Sequence, residues 1–328
     1  MRLALLGSGM IVRDLLEAVG DVSGLDVVAI QGRASSLARL EAIASEHGIP
    51  KVFTDLDDCL ADPEIDTVYV GLPNDLHHGA ARAALLAGKH VVCEKPFTST
   101  LDELDELATL ARERGLVLVE AITTIHHTAF KEIERRLPEL GRIRLVECVY
   151  SQRSSRYDAF LAGDVHPAFD PARGGGALRD LGIYGIHLAV ALLGAPSAVS
   201  YHPTVERGVD TSGVLVLGYA DAQAVIVCAK DSHASSHATV QGDVATVEMA
   251  GAPNTCGPLA VTTRAGTTPV PLDLPAHRMT DEFREFVRIV AERDLEVRDR
   301  LLAHSRAVLE TMQRAAASAG PGTGSTSR

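Results

Sequence analysis

Three groups of residues in this 328-residue chain have the types and spacing to do chemistry. The first is Glu94-Lys95-Pro96, set directly after the apolar run Val91-Val92-Cys93. A proline fixes its own φ and biases the residue before it towards an extended conformation. Lys95 is therefore aimed from a strand end at one place. Partial burial lowers the pKa of such a lysine, whereas a carboxylate neighbour raises it. The second group is Asp180, Tyr184 and His187, which at i, i+4 and i+7 share one face of a helix. Their neighbours Leu178, Leu181, Ile183, Ile186 and Leu188 are apolar, so the polar stripe is costly to bury unless it meets partners. The third is Gly7-Ser8-Gly9-Met10-Ile11, the opening of a G-x-G-x-x-G dinucleotide loop. Its first glycine permits a tight turn, and its second lets backbone approach a pyrophosphate at a helix N-terminus. Taken together, the groups point to hydride chemistry on a small molecule. Each alone has a plainer meaning: a surface lysine, a satisfied hydrogen-bond cluster, an ordinary strand-to-helix turn.

Two positions refine the dinucleotide reading. The third glycine is replaced by Val12, whose branched side chain is expected to push the helix away from the strand. The end of the second strand, Ile30-Gln31-Gly32-Arg33-Ala34-Ser35-Ser36, carries no acid for a ribose 2′-hydroxyl. Arg33 and a nearby serine suit the 2′-phosphate of NADP instead, so NADP is favoured over NAD. Arg33 as a solvated cation at a helix start is the alternative.

The elements that must hold these groups follow from the apolar pattern. Short β-rich runs at residues 3–6, 27–30, 52–53, 67–70, 91–93 and 116–119 alternate with helical stretches such as 37–46, 79–87 and 101–114. Continuously apolar strands alternating with helices imply a doubly wound parallel sheet, covered on both faces. Ligands bind at the carboxyl ends of such strands, where the Gly-x-Gly turn and Lys95 both fall. Beyond residue 121 the rhythm changes. A helix at 130–137, a strand at 143–152 and an irregular loop at 153–176 lead to a helix at 178–193. Strand-like segments follow at 198–205, 214–219, 224–228, 238–249 and 259–263, then helices at 280–293 and 297–317. The Gly/Ser/Thr-rich tail is expected to be disordered.

Composition sets the bounds. Hydrophobic residues make up 46% and charged residues 23%, which is globular. A net charge of −12 disfavours nucleic-acid or anionic-membrane partners. No uncharged apolar run is expected to approach membrane-spanning length, and the N-terminus reads as a first strand rather than a leader. Cys59, Cys93, Cys148, Cys228 and Cys256 are scattered without a C-x-x-C, which suits reduced thiols in a cytoplasm. The 13 histidines include no H-E-x-x-H motif, so no metal site is expected.

The stretch Leu72-Pro73-Asn74-Asp75-Leu76-His77, the run from Ala87 to Pro96 and the run from Gly174 to His187 resemble signatures of the glucose–fructose oxidoreductase/inositol dehydrogenase (Gfo/Idh/MocA) superfamily. The resemblance spans roughly residues 2–315. It implies an α/β Rossmann doubly wound parallel sheet (1–120) plus an α+β C-terminal domain with a large, mostly antiparallel sheet (121–318), before a tail at 319–328. It implies an NAD(P)-dependent dehydrogenase or reductase of a sugar, polyol or related hydroxy or keto compound. The protein would be a homodimer or homotetramer through the C-terminal sheet. Gly7, Ser8, Gly9, Met10, Ile11, Arg33, Pro73, Asn74, His77, Glu94 and Lys95 would serve the cofactor. Lys95 and Asp180 would position and polarise substrate, with Tyr184 transferring the proton as in the tyrosine-type branch, which includes dihydrodiol and some sugar dehydrogenases. A free tyrosine has a pKa of about 10, which a nearby Lys95 would lower. His126, Arg156 and His187 are the substrate-side candidates. His126 lies in Glu120-Ala121-Ile122-Thr123-Thr124-Ile125-His126-His127, which departs from the Arg-Phe-x-Pro pattern often found there. Two other readings stay open: a non-catalytic dinucleotide-binding sensor or regulator, and a redox-neutral NAD-dependent glycoside-cleaving enzyme.

Overall fold

A computed structural model describes residues 1–319. The chain forms two compact units, one from Met1–Ile122 with Pro275–Arg306, the other from Thr123–Leu274 with the residues from Ala307 on. The expected disordered tail, apart from Ala319, lies outside the described residues.

The first unit is built on six parallel strands: β1 (Arg2–Leu6), β2 (Asp26–Gln31), β3 (Lys51–Phe53), β4 (Thr67–Val70), β5 (His90–Glu94) and β6 (Leu118–Ala121). Their order is β3-β2-β1-β4-β5-β6, every pairing parallel. Chain order reverses between β1 and β4, and this switch point opens a crevice at the strand carboxyl ends. Helices Met10–Ala18, Leu37–His47, Leu56–Ala61, His77–Leu86 and Leu101–Arg114 connect the strands. The last begins with a capping box in which Glu103 donates its N–H to Thr100 Oγ1 while its carboxylate accepts from the Thr100 N–H. The final strand lies at 118–121 rather than 116–119.

Helix Thr280–Glu292 belongs to this first unit, although the pattern placed it with the second domain. Its Phe283, Phe286 and Ile289 are fully buried in one cluster with Leu3, Leu5, Ile30 and Tyr69. The Phe283 and Tyr69 rings meet edge to face at 5.7 Å. Burying each of these large side chains stabilises by roughly 1.5–3 kcal/mol, so the helix is a structural part of the sheet's core.

The second unit carries an eight-stranded sheet. Its strands are β7 (Ile143–Ser151), β8 (Ala198–Glu206), β9 (Val209–Gly218), β10 (Gln223–Ala229), β11 (His237–Gly242), β12 (Thr246–Ala250), β13 (Leu259–Thr263) and β14 (Gly266–Val270), ordered β14-β13-β12-β11-β7-β10-β9-β8. Only β7 and β10 pair in parallel; the other neighbours are antiparallel. The single strand expected at 238–249 is a hairpin of β11 and β12, turned where Gly242 N donates to Ala245 O. The edge strand β14 was not expected, because Gly266, Thr267, Thr268 and Pro269 are exposed and carry no apolar alternation. An 18-residue window within Pro171–Leu193 is apolar enough to cross a membrane by composition, with a mean hydropathy of 1.3, but 72% of that window is buried within the protein.

Candidate active site

In the first unit, the loops after β1, β4 and β5 meet at the switch point. Gly7 has φ +118°, and a Cβ there would lie 2.5 Å from the Gly71 carbonyl oxygen, so the turn needs glycine. Gly9 caps helix Met10–Ala18 with open space around it, and no side chain bonds the helix N-terminus. The first turn holds no acid, and Met10 is 79% exposed. Unpaired N–H groups and the positive end of the helix dipole suit a diphosphate.

Val12 does not spoil this loop. It is fully buried, and its Cγ2 lies 2.8 Å from where a Gly71 Cβ would stand. The methyl groups that a third glycine would have excluded occupy space left by a glycine on the neighbouring strand end. Arg33 is exposed beside Ser35 and forms no ion pair among the described residues, which leaves its guanidinium available to a phosphate.

His77 is 1% exposed, with Nε2 2.8 Å from the Leu72 carbonyl and Nδ1 3.0 Å from the Pro96 carbonyl. It staples the loop carrying Pro73 and Asn74 to the loop carrying Lys95, with both ring nitrogens engaged by backbone carbonyls. The Lys95-Pro96 bond is cis, and Lys95 is half-buried. Glu94 is buried beneath it, accepting from Tyr69 Oη at 2.5 Å and from Lys95 N at 3.2 Å. Burial raises the Glu94 pKa, opposed by the Tyr69 hydrogen bond and the Lys95 charge. Asp14, Glu17 and His277 approach one another, but Asp14 is already paired with Arg278 and His277.

In the second unit, Asp180 and Tyr184 lie one turn apart. The segment begins with a π-helical turn, Leu178–Gly182, and continues as the α-helix Ile183–Leu193; such turns are frequent at functional sites. A Cβ on Gly185 would lie 2.7 Å from Ile226 Cγ2 and 3.1 Å from Cys148 Sγ, so the helix rests directly on β10 and β7. Its start is pinned where Leu178 N donates to Asp210 Oδ2 on β9 at 2.7 Å, an oxygen that also accepts from Tyr201 Oη at 2.7 Å. Tyr184 is buried, with its ring 5.9 Å from Tyr150.

Asp180 Oδ2 lies 2.8 Å from Lys230 Nζ, a partner that the sequence reading missed. The available signal was the one that marked Lys95, a lysine directly after an apolar strand, here Ala224–Ala229. Arg156 is half-buried with its guanidinium against His166. Burial, then the charges of Arg156 and Lys230, push the His166 pKa down, so a neutral ring accepts from Arg156. His187 and His126 are buried. The segment before His126 is anchored by Thr123 and Thr124, which donate to the Asn254 and Pro253 carbonyls at 2.8 Å each.

Residues 1–122 match the family model of the Gfo/Idh/MocA oxidoreductases with an NAD-binding Rossmann fold, and residues 136–248 match the GFO/IDH/MocA C-terminal domain. A scyllo-inositol 2-dehydrogenase (NADP(+)), IolU, of Bacillus subtilis is 33% identical over 96% of this chain and 96% of its own. The chain belongs to the Gfo/Idh/MocA family. A trans-1,2-dihydrobenzene-1,2-diol dehydrogenase of Macaca fuscata fuscata is 30% identical over 74% of this chain and 72% of its own. In fold, this Gfo/Idh/MocA protein is similar to a 3-ketoreductase from Actinomadura kijaniata solved with NADP and TDP-benzene. That match has a TM-score of 0.83 and 24% identity, covering 97% of each chain. The protein is thus an oxidoreductase whose first unit is a nicotinamide-dinucleotide-binding Rossmann domain, as the sequence implied.

Proposed function

We propose that the protein interconverts a hydroxyl and a carbonyl on a sugar or polyol, using NADP in preference to NAD. Lys95, Asp180 and Tyr184 are its catalytic residues. The observation that carries this reading is the helix Ile183–Leu193 with its preceding π turn, which presents a carboxylate and a phenol one turn apart from a largely apolar segment. The cofactor supplies hydride transfer, and the open N-terminus of helix Met10–Ala18 with Arg33 would hold its phosphates. In the reductive direction Lys95 polarises the carbonyl, Tyr184 donates its phenolic proton to the developing alkoxide, and Asp180 accepts a hydrogen bond from a neighbouring hydroxyl. In the oxidative direction Tyr184 takes the alcohol proton. The 96% coverage of the scyllo-inositol enzyme supports a polyhydroxylated ring as substrate. His126, Arg156 and His187 help to shape the substrate pocket.

We further propose a homodimer or homotetramer through the eight-stranded sheet, whose strands alternate buried and partly exposed residues, as β9 and β12 do. A cytoplasmic location fits the five free, buried cysteines. The test follows nicotinamide absorbance with scyllo-inositol, xylose, sugar acids and diketones, with both cofactors and in both directions. Turnover that disappears in Lys95→Ala and Tyr184→Phe, with NADPH binding retained, is the expected result. Unchanged turnover in either variant sinks its assigned role, and tight cofactor binding with silence across the panel favours a sensor.

A further inference from the structure

Lys230 follows β10 and its side chain is only 3% exposed. A buried ammonium is tolerated only where it meets partners, and this one has three. Nζ lies 2.8 Å from Asp180 Oδ2, donates to the Ala168 carbonyl at 2.6 Å, and sits 4.3 Å from the centre of the Phe169 ring. These partners come from two segments remote in sequence: the π turn that carries Asp180, and the loop before it that leads from Arg156 through His166 to Phe169. Phe169 is itself stacked on Phe160 at 4.8 Å in a small cluster with Val209, so the cation stands against a packed surface. Asp180, by contrast, is 38% exposed. One edge of the carboxylate is held from inside the protein while the group stays accessible.

We propose that Lys230 is a positioning residue for Asp180. It fixes the rotamer of the carboxylate and keeps it ionised, so that Asp180 accepts rather than donates a hydrogen bond to substrate. The inference rests on the catalytic reading of Asp180 given above. The same ammonium anchors Ala168 two residues from His166, the partner of Arg156, so the carboxylate and a substrate-side arginine share one anchor. Two further titratable groups feel the charge of Lys230, His166 on the loop and Asp210 on β9.

Two measurements separate this role from simple structural support. The first is the ¹³C titration of the Asp180 carboxyl in aspartate-labelled protein, with its signal identified by Asp180→Asn. Lys230→Met should raise the Asp180 midpoint by about 1–3 pH units, the usual effect of an adjacent cation, and Lys230→Arg should restore most of it. The second is the oxidation of scyllo-inositol with NADP⁺ between pH 5 and 10. Here kcat should fall on the order of 100-fold in Lys230→Met, the cost of a misplaced group, with KM little changed and the acid limb moved up. Tyr184→Phe is the companion variant: if it turns over normally, or the wild type is silent, the catalytic reading fails, and the carboxyl titration still decides the role of Lys230. If Lys230→Met does not fold by circular dichroism, Lys230→Gln takes its place. An unmoved Asp180 midpoint, or an unchanged acid limb with normal kcat, overturns the proposal.

Discussion

Replacing Val12 with glycine, which would complete the G-x-G-x-x-G pattern, is expected to harm the protein rather than improve it. Val12 is fully buried, and its Cγ2 fills the space beside Gly71. Glycine removes three buried carbons, about 2.4 kcal/mol at roughly 0.8 kcal/mol per CH₂. A glycine inside helix Met10–Ala18 adds about 0.3–0.5 kcal/mol relative to valine. The loss of about 3 kcal/mol is close to a hundredfold shift in the folding equilibrium of the first unit. Urea unfolding followed by circular dichroism reads it, and NADPH fluorescence titration reads the loop, which should bind more weakly once its packing is lost. The reciprocal change, Gly71→Ala, should cost about 1–3 kcal/mol by overpacking in the native background. It should cost clearly less alongside Val12→Gly, because the new methyl enters vacated space. Unchanged stability with tighter NADPH binding in Val12→Gly would refute the packing argument. Additive costs in the double variant would refute the claim that Val12 and Gly71 share one space.

Arg33→Ala should raise KM for NADPH by about 10–100-fold, the worth of a charge-assisted hydrogen bond to phosphate, while changing KM for NADH little; equal effects on both cofactors would remove Arg33 from the 2′-phosphate. Glu282 provides a stability test. It is buried, its Oε1 has no hydrogen-bond partner among the described residues, and desolvation, then the Glu94 charge, raises its pKa well above the ordinary value. The native state therefore keeps a proton that the unfolded chain gives up from about pH 4.3. The native-state advantage is full below that pH and declines as pH rises towards the raised native value. Glu282→Gln should match wild type near pH 4 and gain on it steadily above, in thermal unfolding; a constant difference across pH would show that Glu282 is not buried protonated.

The parts of the fold set by local chemistry were legible in the sequence. β4 lies at 67–70 as its continuous apolar run requires, and the helix Leu101–Arg114 starts where Thr100 and Glu103 form a capping box. The Gly-x-Gly turn falls at the switch point because alternating strands and helices force a parallel sheet. What escaped depended on partners far away in the chain. The place of helix Thr280–Glu292 is decided by Tyr69 and Leu3, more than two hundred residues earlier, and no periodicity records that. Val12 reads as a defect until Gly71 is seen beside it. β14 shows no apolar alternation because it is an exposed edge. Lys230 carried the same local signal as Lys95, a lysine closing an apolar strand, but only the folded chain shows that its ammonium turns inward to a carboxylate.

The discontinuity of the first unit bears on how the chain is made. The strands that hold Leu3, Leu5 and Tyr69 emerge early from the ribosome, yet the helix that brings Phe283, Phe286 and Ile289 to them is synthesised near the end. At about 5–20 residues per second, the interval is on the order of 10–40 s. During that time the part of the core that Phe283, Phe286 and Ile289 fill stays uncovered, while strands β7 to β14 are being made. The long interval gives chaperones an opening on this protein, and it sets a lower limit on the length of any fragment meant to stand for the dinucleotide-binding half.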